Sequence, residues 1–465
     1  MEKKVGLLGL IAMVIGSMIG GGVFELPAEM ARSGRPFSAI IAWSITGLGM
    51  FFVGKVFQTL SDLKPDLKDG IYTYSKVGFG RYIGFNSAWG YWLSHLLGNT
   101  SYIVLFISAL HSFFPGIGGL KSTTSIVISV IMIWGILFII AKSMTIANEL
   151  NTIATIVKVL PVIFAIILLF VCFKLKVFTT DFYGVKEFAT GGSSAASVFS
   201  QVKNGLLATV WTFTGIEGAV VISGRAKNIK DVGKATIIGY VFTLICYVLI
   251  VMLSFGALNQ GTLQGLQSPA LAGVLGDTYG TFGRVMINVA VIVSVLGAWI
   301  AWTIITAEVP MSVAKDEVFP RFLGKQLKSG AAINSLIVNA IIMQIAFILS
   351  ICVSDAFSQI TSLATMMVLM PYILSAVYLI KLAVQNKKVS YFIYGAIAVI
   401  FCVYALSTAG LAGLSKIFIF YALGIIYLVI ASIENKKKIF EKRWEMYLCI
   451  VISIIGILSL IYSFI

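Results

Sequence analysis

Long apolar runs recur along the whole chain, and they constrain its fold more than any other feature. Each run is about as long as the 20 residues that an α-helix needs to cross the hydrocarbon core of a bilayer. The runs predict thirteen membrane-spanning helices, at 6–33, 37–60, 83–113, 123–142, 148–173, 202–223, 235–257, 285–313, 332–353, 357–381, 390–409, 414–433 and 444–465. Charged residues make up 11% of the chain, against about 25% in a soluble domain. The sequence therefore predicts an all-α, polytopic membrane protein.

The chain has a formal net charge of +15, and the placement of its basic residues explains that charge. If the N-terminus is cytoplasmic, the loops on that side hold most of the basic residues: Lys64, Lys68, Lys76, Arg81, Arg225, Lys227, Lys230, Lys234, Lys315, Arg321, Lys325, Lys328, Lys381, Lys387, Lys388, Lys436, Lys437, Lys438, Lys442 and Arg443. The loops on the other side hold fewer. This asymmetry is the positive-inside bias, and it predicts a cytoplasmic N-terminus and, with thirteen spans, an external C-terminus. Nucleic-acid binding is therefore not expected.

Several functional classes lack their sequence signatures. The five cysteines stand singly within apolar runs, which favours packing over a metal site or a disulfide framework. The chain has no GxxxxGK[ST] loop for nucleotide phosphates and no HExxH sequence. Two histidines and few buried carboxylates offer little for catalysis. We expect no enzyme activity, no metal and no cofactor.

The first apolar run contains GSMIGGGVFELP, from Gly16 to Pro27. Gly16 and Gly20 form a GxxxG pair, which can bring two helices close together. Three consecutive glycines, Gly20 to Gly22, exceed what such packing needs, and they indicate a broken helix. A break at mid-membrane frees backbone polar groups, which lipid tolerates only where those groups line a cavity or bind something.

The sixth run, NGLLATVWTFTGIEGAVVISG, is interrupted in the same way. Its centre holds Thr212, Thr214, Gly215, Glu217 and Gly218. A carboxylate at this depth costs several kcal/mol and is a functional candidate by default. Spans one and six occupy corresponding places in two units of five helices. Such a pair is typical of an inverted-repeat transporter with its site at the midplane of the membrane. We expect a core over 1–382, with repeats at about 6–173 and 202–382, and further C-terminal helices over 383–465.

The geometry of the break also predicts what is bound. The half-helix that begins near Val23 directs its N-terminal N–H groups at the break, which suits a carboxylate. The preceding half-helix ends in free carbonyl groups, which suit an ammonium group. The two halves together fit the α-carboxylate and α-amine of an amino acid.

Four motifs resemble the amino acid–polyamine–organocation superfamily: GSMIGGGVFELP, WGYWLSHLLGN, WTFTGIEG and AEVPMSVAKDEVFP. Within it, the chain is most similar to the basic amino acid/polyamine antiporters, over essentially its whole length. The segment QTLSDLKPDLKDGIYTYSKVGFG is closest to the arginine/ornithine and histidine/histamine exchangers. The resemblance implies the five-plus-five inverted-repeat, LeuT-like fold with broken helices 1 and 6 and two to three C-terminal helices. It also allows a homodimer.

The resemblance implies a role for individual residues. The residues that match substrate-binding positions are Ser17, Met18, Gly20, Gly21, Gly22, Ser94, His95, Asn99, Trp211, Thr214, Trp302 and Ala364. Those that match gating or proton-coupling positions are Tyr72, Tyr91, Glu217, Tyr372 and Lys158, to which we add Glu25. Tyr91, His95 and Asn99 follow at intervals of four residues, so that one helix face presents all three. A cation between Trp211 and Trp302 would gain about 0.5–2 kcal/mol, whereas the alternative for tryptophan, an interfacial anchor, suits Trp444.

Alternatives stay open at several positions. Lys158 matches a lysine whose ammonium replaces a sodium ion in relatives, which implies sodium independence, or it extends to the cytoplasmic surface. His95 either contacts substrate or bonds two helices together. Glu25 either attracts cations at the outer mouth or pairs with Arg32 or Arg35. The role of Glu308 is open.

Some positions depart from the agmatine-exchanger pattern. Ser17 stands where an asparagine is found, Gly21 where a serine is found, and Ala364 where a serine reaches the substrate. These departures argue against agmatine. The sequence predicts an antiporter of the plasma membrane that takes up arginine and releases ornithine. The alternatives are histidine/histamine, arginine/agmatine or lysine/cadaverine exchange and a proton-coupled permease.

Overall fold

The structure, a computed structural model, describes residues 6–67, 71–184, 195–218, 226–228 and 230–462, and its long elements are helical. The α-helices of these residues are α1 Leu7–Met18, α2 Leu26–Ser33, α3 Pro36–Leu63, α4 Ile71–Phe79, α5 Arg81–Phe113, α6 Thr123–Lys142, α7 Met144–Cys172, α8 Leu175–Thr179, α9 Ala195–Trp211, α10 Lys230–Ala257, α11 Gln260–Gly265, α12 Ala270–Lys315, α13 Ile333–Ser350, α14 Ala356–Gln385, α15 Val389–Ser407, α16 Gly410–Glu434 and α17 Arg443–Tyr462.

Each predicted span lies on one of these helices or on a broken pair. In the described residues, 10 helices are long and apolar enough to cross a membrane. The other predicted spans are the first, which is divided into α1 and α2, the fifth, which is α7, and the sixth, which begins as α9. The end of the sixth span, 219–223, lies outside the described residues. The prediction of an all-helical, polytopic membrane protein is confirmed.

The structure differs from the prediction mainly in the loops. Helices α4, α8 and α11 lie in segments that the sequence assigned to no element, since each is too short to show an apolar run. Helix α12 begins at Ala270, well before the predicted start at residue 285, and it bends at Gly280, where φ is 66°. Only glycine adopts this backbone conformation without strain.

Burial shows which helices form the centre of the molecule. An 18-residue apolar stretch of α5 is 89% buried, whereas the corresponding stretch of α17 is 22% buried. Helix α5 packs against α12 and α14, and α6, α15 and α16 carry exposed apolar side chains on their outer faces. These exposed faces suit contact with lipid. The described residues thus form a bundle around α5.

Inside this bundle, helices are joined by hydrogen bonds as well as by packing. The indole Nε1 of Trp92 on α5 donates to Oδ1 of Asn339 on α13 over 2.9 Å. Trp92 is 0% exposed and Asn339 is 1% exposed. A buried polar group that loses its partner costs about 1–3 kcal/mol.

We therefore expect Trp92→Phe to lower the thermal midpoint of the detergent-solubilised protein by several degrees. The same substitution at Trp134, a half-exposed residue of α6, is the control and should change the midpoint little. Adding Asn339→Leu to Trp92→Phe should recover part of the loss, because the unpaired amide is then gone. Equal midpoints for the two tryptophan variants would contradict the structural role of this hydrogen bond.

Candidate functional site

Two interrupted helices meet at the centre of the bundle. Helix α1 ends at Met18, and α2 begins at Leu26 after a 3-10 turn over Gly22–Phe24. Helix α9 ends at Trp211 and is followed by turns through Glu217. The Ser17 hydroxyl donates to the Gly215 carbonyl oxygen over 2.9 Å and joins the two breaks. The predicted break in span one is confirmed, and span six is interrupted around Gly215, near the centre of the predicted break.

The first break leaves a row of free backbone groups. The N–H groups of Phe24 and Glu25 donate to the carbonyls of Gly21 and Gly22. The four preceding N–H groups, Gly20–Val23, make no hydrogen bond to any residue that the structure describes. The Ser17 and Gly20 carbonyls likewise accept none from the described part of the chain. Consecutive free N–H groups form a concave site for an anion, and the carbonyls beside them suit a cation.

Two of the three glycines of this break, Gly20 and Gly21, also allow close packing. A Cβ on Gly20 would lie 2.7 Å from the Tyr102 hydroxyl oxygen, and one on Gly21 would lie 2.6 Å from a methyl carbon of Leu105. A Cβ on Gly22 would have 3.5 Å to its nearest neighbours, Trp211 and Thr212. From the sequence, close helix packing and a broken helix are alternative interpretations of this segment. The structure shows both: the helix is broken, and two of its glycines pack against α5.

A cavity lies between the two breaks, α5 and α12. Its lining consists of Ser17, Met18, Gly20, Gly21, Gly22, His95, Gly98, Asn99, Tyr102, Trp211, Thr212, Thr214 and Trp302. The structure thus brings together all the predicted substrate-binding residues except Ser94 and Ala364. The Ser94 hydroxyl donates to the Ala364 carbonyl over 2.7 Å, which ties α5 to α14 behind the cavity wall.

Three lining residues were not predicted: Gly98, Tyr102 and Thr212. Gly98 and Tyr102 continue the face of α5 that carries Tyr91, His95 and Asn99, since they follow at helical spacing. Extending that face by one turn would have identified Tyr102. Thr212 directly follows Trp211 in the break of span six and gave no periodic signal.

The indoles of Trp211 and Trp302 form two walls of this cavity. A Cβ on Gly98 would lie 2.7 Å from the Trp211 ring, so the indole rests directly on that glycine. The Trp302 ring lies 4.5 Å from the His95 ring, measured between centroids. Both tryptophans are less than a tenth exposed, whereas Trp444 is 45% exposed, as expected of an interfacial anchor. Trp211 and Trp302 are therefore buried lining residues of the cavity and not interfacial anchors.

Glu217 lies behind His95, next to the cavity but outside its lining. Its carboxylate accepts hydrogen bonds from the Tyr91 hydroxyl over 3.1 Å, the Tyr372 hydroxyl over 2.7 Å and the Gly215 N–H over 3.2 Å. Glu217 is 1% exposed, and its Oε1 lies 3.9 Å from Nε2 of His95. Three donors offset the cost of placing a carboxylate at this depth.

Lys158 of α7 is bound to the end of α1. Its ammonium donates to the Gly16 carbonyl oxygen, and the side chain is 2% exposed. The ammonium therefore does not reach the cytoplasmic surface, which was the alternative interpretation. Tyr72 of α4 lies elsewhere, where its hydroxyl donates to Asp316 over 3.1 Å, beside Lys76.

Glu25 lies just beyond the first break, away from the cavity. Its carboxylate accepts a hydrogen bond from the Ser268 hydroxyl. Arg32 pairs with Asp355 at 3.5 Å, and Arg35 pairs with Asp181 at 2.9 Å. In the structure, Arg32 and Arg35 therefore pair with Asp355 and Asp181, and neither forms the predicted alternative ion pair with Glu25.

Comparisons with known proteins agree with this architecture. A model of the amino acid permease family matches residues 5–412. An arginine/agmatine antiporter of Chlamydia pneumoniae is 40% identical over 99% of this chain and 96% of its own length. An arginine/ornithine antiporter of Pseudomonas aeruginosa is 38% identical over 94% of this chain and 93% of its own length. A putative amino-acid transporter of Clostridium perfringens is 37% identical over 100% of this chain and 99% of its own length.

The geometry at Gly215 yields a test of how the two breaks fit together. Gly215 has φ of 102°, and a Cβ there would lie 2.8 Å from the Ser17 carbonyl oxygen. We expect Gly215→Ala to lower the thermal midpoint by several degrees and to change the tryptophan fluorescence, because Trp302 is the next neighbour. The control is Gly135→Ala on α6, whose Cβ would meet no other atom within 4 Å. Two variants with equally small effects would contradict the close contact of the breaks.

Proposed function

The chain belongs to the amino acid permease family, and we propose that this multi-pass membrane protein exchanges arginine for ornithine by alternating access. The observation that carries the proposal is the row of free backbone groups at the first break. The N–H groups of Gly20, Gly21 and Gly22, which line the cavity, suit the α-carboxylate of a substrate, and the Ser17 and Gly20 carbonyls suit its α-ammonium. Arginine and ornithine both carry these two groups.

The other end of the cavity supports a cationic side chain. The Trp211 and Trp302 rings offer faces for a guanidinium or ammonium, worth about 0.5–2 kcal/mol each. Asn99 donates to Thr306 through its amide nitrogen, and its Oδ1 has no hydrogen-bond partner in the described residues. A guanidinium N–H group is a fitting donor to this oxygen.

Agmatine is the second candidate for the counter-substrate. It is favoured by the Chlamydia pneumoniae relative, which is named an arginine/agmatine antiporter. Agmatine lacks a carboxylate and would leave the N–H groups of Gly20, Gly21 and Gly22 unpaired, which favours ornithine. The pairs also differ in charge. Arginine for ornithine moves no net charge, whereas arginine for doubly charged agmatine moves one, worth about 2.3 kcal/mol per 100 mV. Histidine/histamine exchange stays a prediction.

The proposal includes an orientation and a division of the chain. The excess of basic residues in alternate loops supports a cytoplasmic N-terminus. The meeting of two broken helices supports inverted repeats at about 6–173 and 202–382 within a core of 1–382, with 383–465 outside it. The hydrogen bond from Lys158 to Gly16 supports sodium independence, because the Lys158 ammonium already binds a backbone carbonyl oxygen near the break. A homodimer in the plasma membrane belongs to the same proposal.

Counterflow in purified proteoliposomes tests the function directly. Vesicles are loaded with ornithine, agmatine, lysine, histamine, putrescine or buffer alone, and the uptake of labelled arginine and histidine is followed. We expect arginine uptake only with a loaded counter-substrate, fastest with ornithine, and unchanged by a potassium diffusion potential. Uptake into buffer-loaded vesicles under an imposed pH gradient would contradict antiport. If agmatine drives the fastest uptake and this uptake responds to the potential, the counter-substrate is agmatine and not ornithine.

The carboxylate of Glu217 yields a second test. Removing this titratable group while keeping its shape, with Glu217→Gln, should flatten the pH dependence of arginine exchange. The control is Glu445→Gln, which neutralises another buried carboxylate, one that accepts backbone N–H groups at the start of α17. Glu445→Gln should keep the pH profile even if it lowers the thermal midpoint. An unchanged profile and rate in Glu217→Gln would exclude Glu217 from proton coupling.

A further inference from the structure

A second cavity, which we call the vestibule, lies beyond the substrate cavity along the same helices. Its walls include Glu25, Glu29, Arg32, Ser108 and Asp355. Helix α5 lines both spaces, with Asn99 at the substrate cavity and Ser108 at the vestibule. At a rise of 1.5 Å per residue, the two positions are about 14 Å apart along the axis. With a cytoplasmic N-terminus, the vestibule faces the outside.

Two buried carboxylates line the vestibule from one helix. Glu25 directly precedes α2, and Glu29 lies in its first turn. Residues four apart on a helix share a face, so both side chains project to the same side. Glu25 is 4% exposed and Glu29 is 7% exposed. Glu25 and Glu29 therefore form a pair of carboxyl groups that is largely buried but lines a cavity.

Hydrogen bonds satisfy this pair only in part. The Ser268 hydroxyl donates to Glu25, and the Ser358 hydroxyl lies at the Glu29 carboxyl group. Oε1 of Glu29 has no hydrogen-bond partner among the described residues. An unpaired polar atom in a buried carboxyl group is costly, and this one belongs to a residue that lines the vestibule.

Three basic residues line the vestibule: Arg32, Lys121 and His111. The Arg32 guanidinium donates to the carbonyls of Gln264 and Leu266 and pairs with Asp355, and its charge also acts on the Glu25 and Glu29 carboxyl groups without contacting them. Lys121 is exposed at the rim, and His111 lines the same wall of α5. Among the described residues, Glu25 and Glu29 thus have no direct ion-pair partner. A buried carboxylate requires a cation or a proton nearby.

We propose that Glu25 and Glu29 form an outer binding site for the cationic end, guanidinium or alkylammonium, of a substrate on its way to the central cavity. A guanidinium presents several N–H donors to paired carboxylate oxygens, which suits this geometry. Glu25 is two residues beyond Val23, the last free N–H group of the break. The two sites are thus consecutive along span one. The proposal rests on the proposed transport of cationic amino acids.

The test compares transport from the two faces of oriented proteoliposomes. The variants are Glu25→Gln, Glu29→Gln and the double substitution, each of which keeps the shape of the side chain. The double variant should raise KM for external arginine at least tenfold, with a maximal rate within twofold of the parent. KM for ornithine on the inner face should not change. The single variants should show smaller effects in the same direction, and they replace the double variant if it does not fold.

Asp277→Asn is the matched control, because Asp277 is a carboxylate on the predicted outer side that does not line the vestibule and pairs with Arg284. It should leave KM unchanged on both faces. An external KM within twofold of the parent in the double variant would overturn the outer site. So would an equal rise of KM on both faces, which would indicate a general structural effect.

An infrared difference experiment separates this proposal from the proposed function. Millimolar methylguanidinium, added to the detergent-solubilised protein, should change carboxyl and carboxylate bands in the parent and in Asp277→Asn but not in the double variant. If these bands change while counterflow shows no arginine exchange, the outer site stands and the transport proposal fails. Identical difference spectra for the parent and the double variant would overturn the outer site.

Discussion

The hydrocarbon core of a bilayer offers no hydrogen-bond partner to a polar group, and the arrangement of this chain follows from that constraint. An intact helix satisfies its own backbone, so lipid can surround α6, α15, α16 and α17 without further provision. A helix that stops at mid-membrane cannot do this. The structure therefore keeps both broken helices at the centre of the bundle, against α5, where the protein itself or a cavity faces each free group.

At the C-terminal end of α1, side chains supply hydrogen-bond partners to two of the backbone carbonyls. The Gly16 carbonyl accepts from the Lys158 ammonium, and the Met18 carbonyl accepts from the Tyr247 hydroxyl over 2.8 Å. Of the groups left free, those of Ser17, Gly20, Gly21 and Gly22 belong to residues that line the cavity. This contrast between satisfied and free groups on one short segment is what distinguishes a binding site from a defect of packing.

The sequence predicted the features that depend on composition along one segment. Apolar runs gave the spans, and three consecutive glycines gave the first break, because lipid and backbone geometry act locally on the chain. Features that depend on which helices become neighbours could not be predicted in this way. Ser94 and Ala364 look like cavity residues by position, yet they bond to each other because α5 and α14 come into contact. The partner of Lys158 was equally hidden, since Gly16 is 142 residues away along the chain. Tyr102 could have been predicted from the sequence, because it lies at helical spacing from His95 and Asn99 on the same face of α5.

The two tyrosines that donate to Glu217 come from helices that are joined to each other. Tyr91 lies on α5 and Tyr372 on α14, and the bond between Ser94 and Ala364 ties these helices together. Glu217 belongs instead to the interrupted sixth span. Any displacement of that span relative to the α5–α14 pair must stretch both tyrosine hydrogen bonds at the same moment. Partial displacement would leave a buried carboxylate with neither donor, so intermediate positions are the least stable ones. Such an element favours two discrete positions over a continuous range.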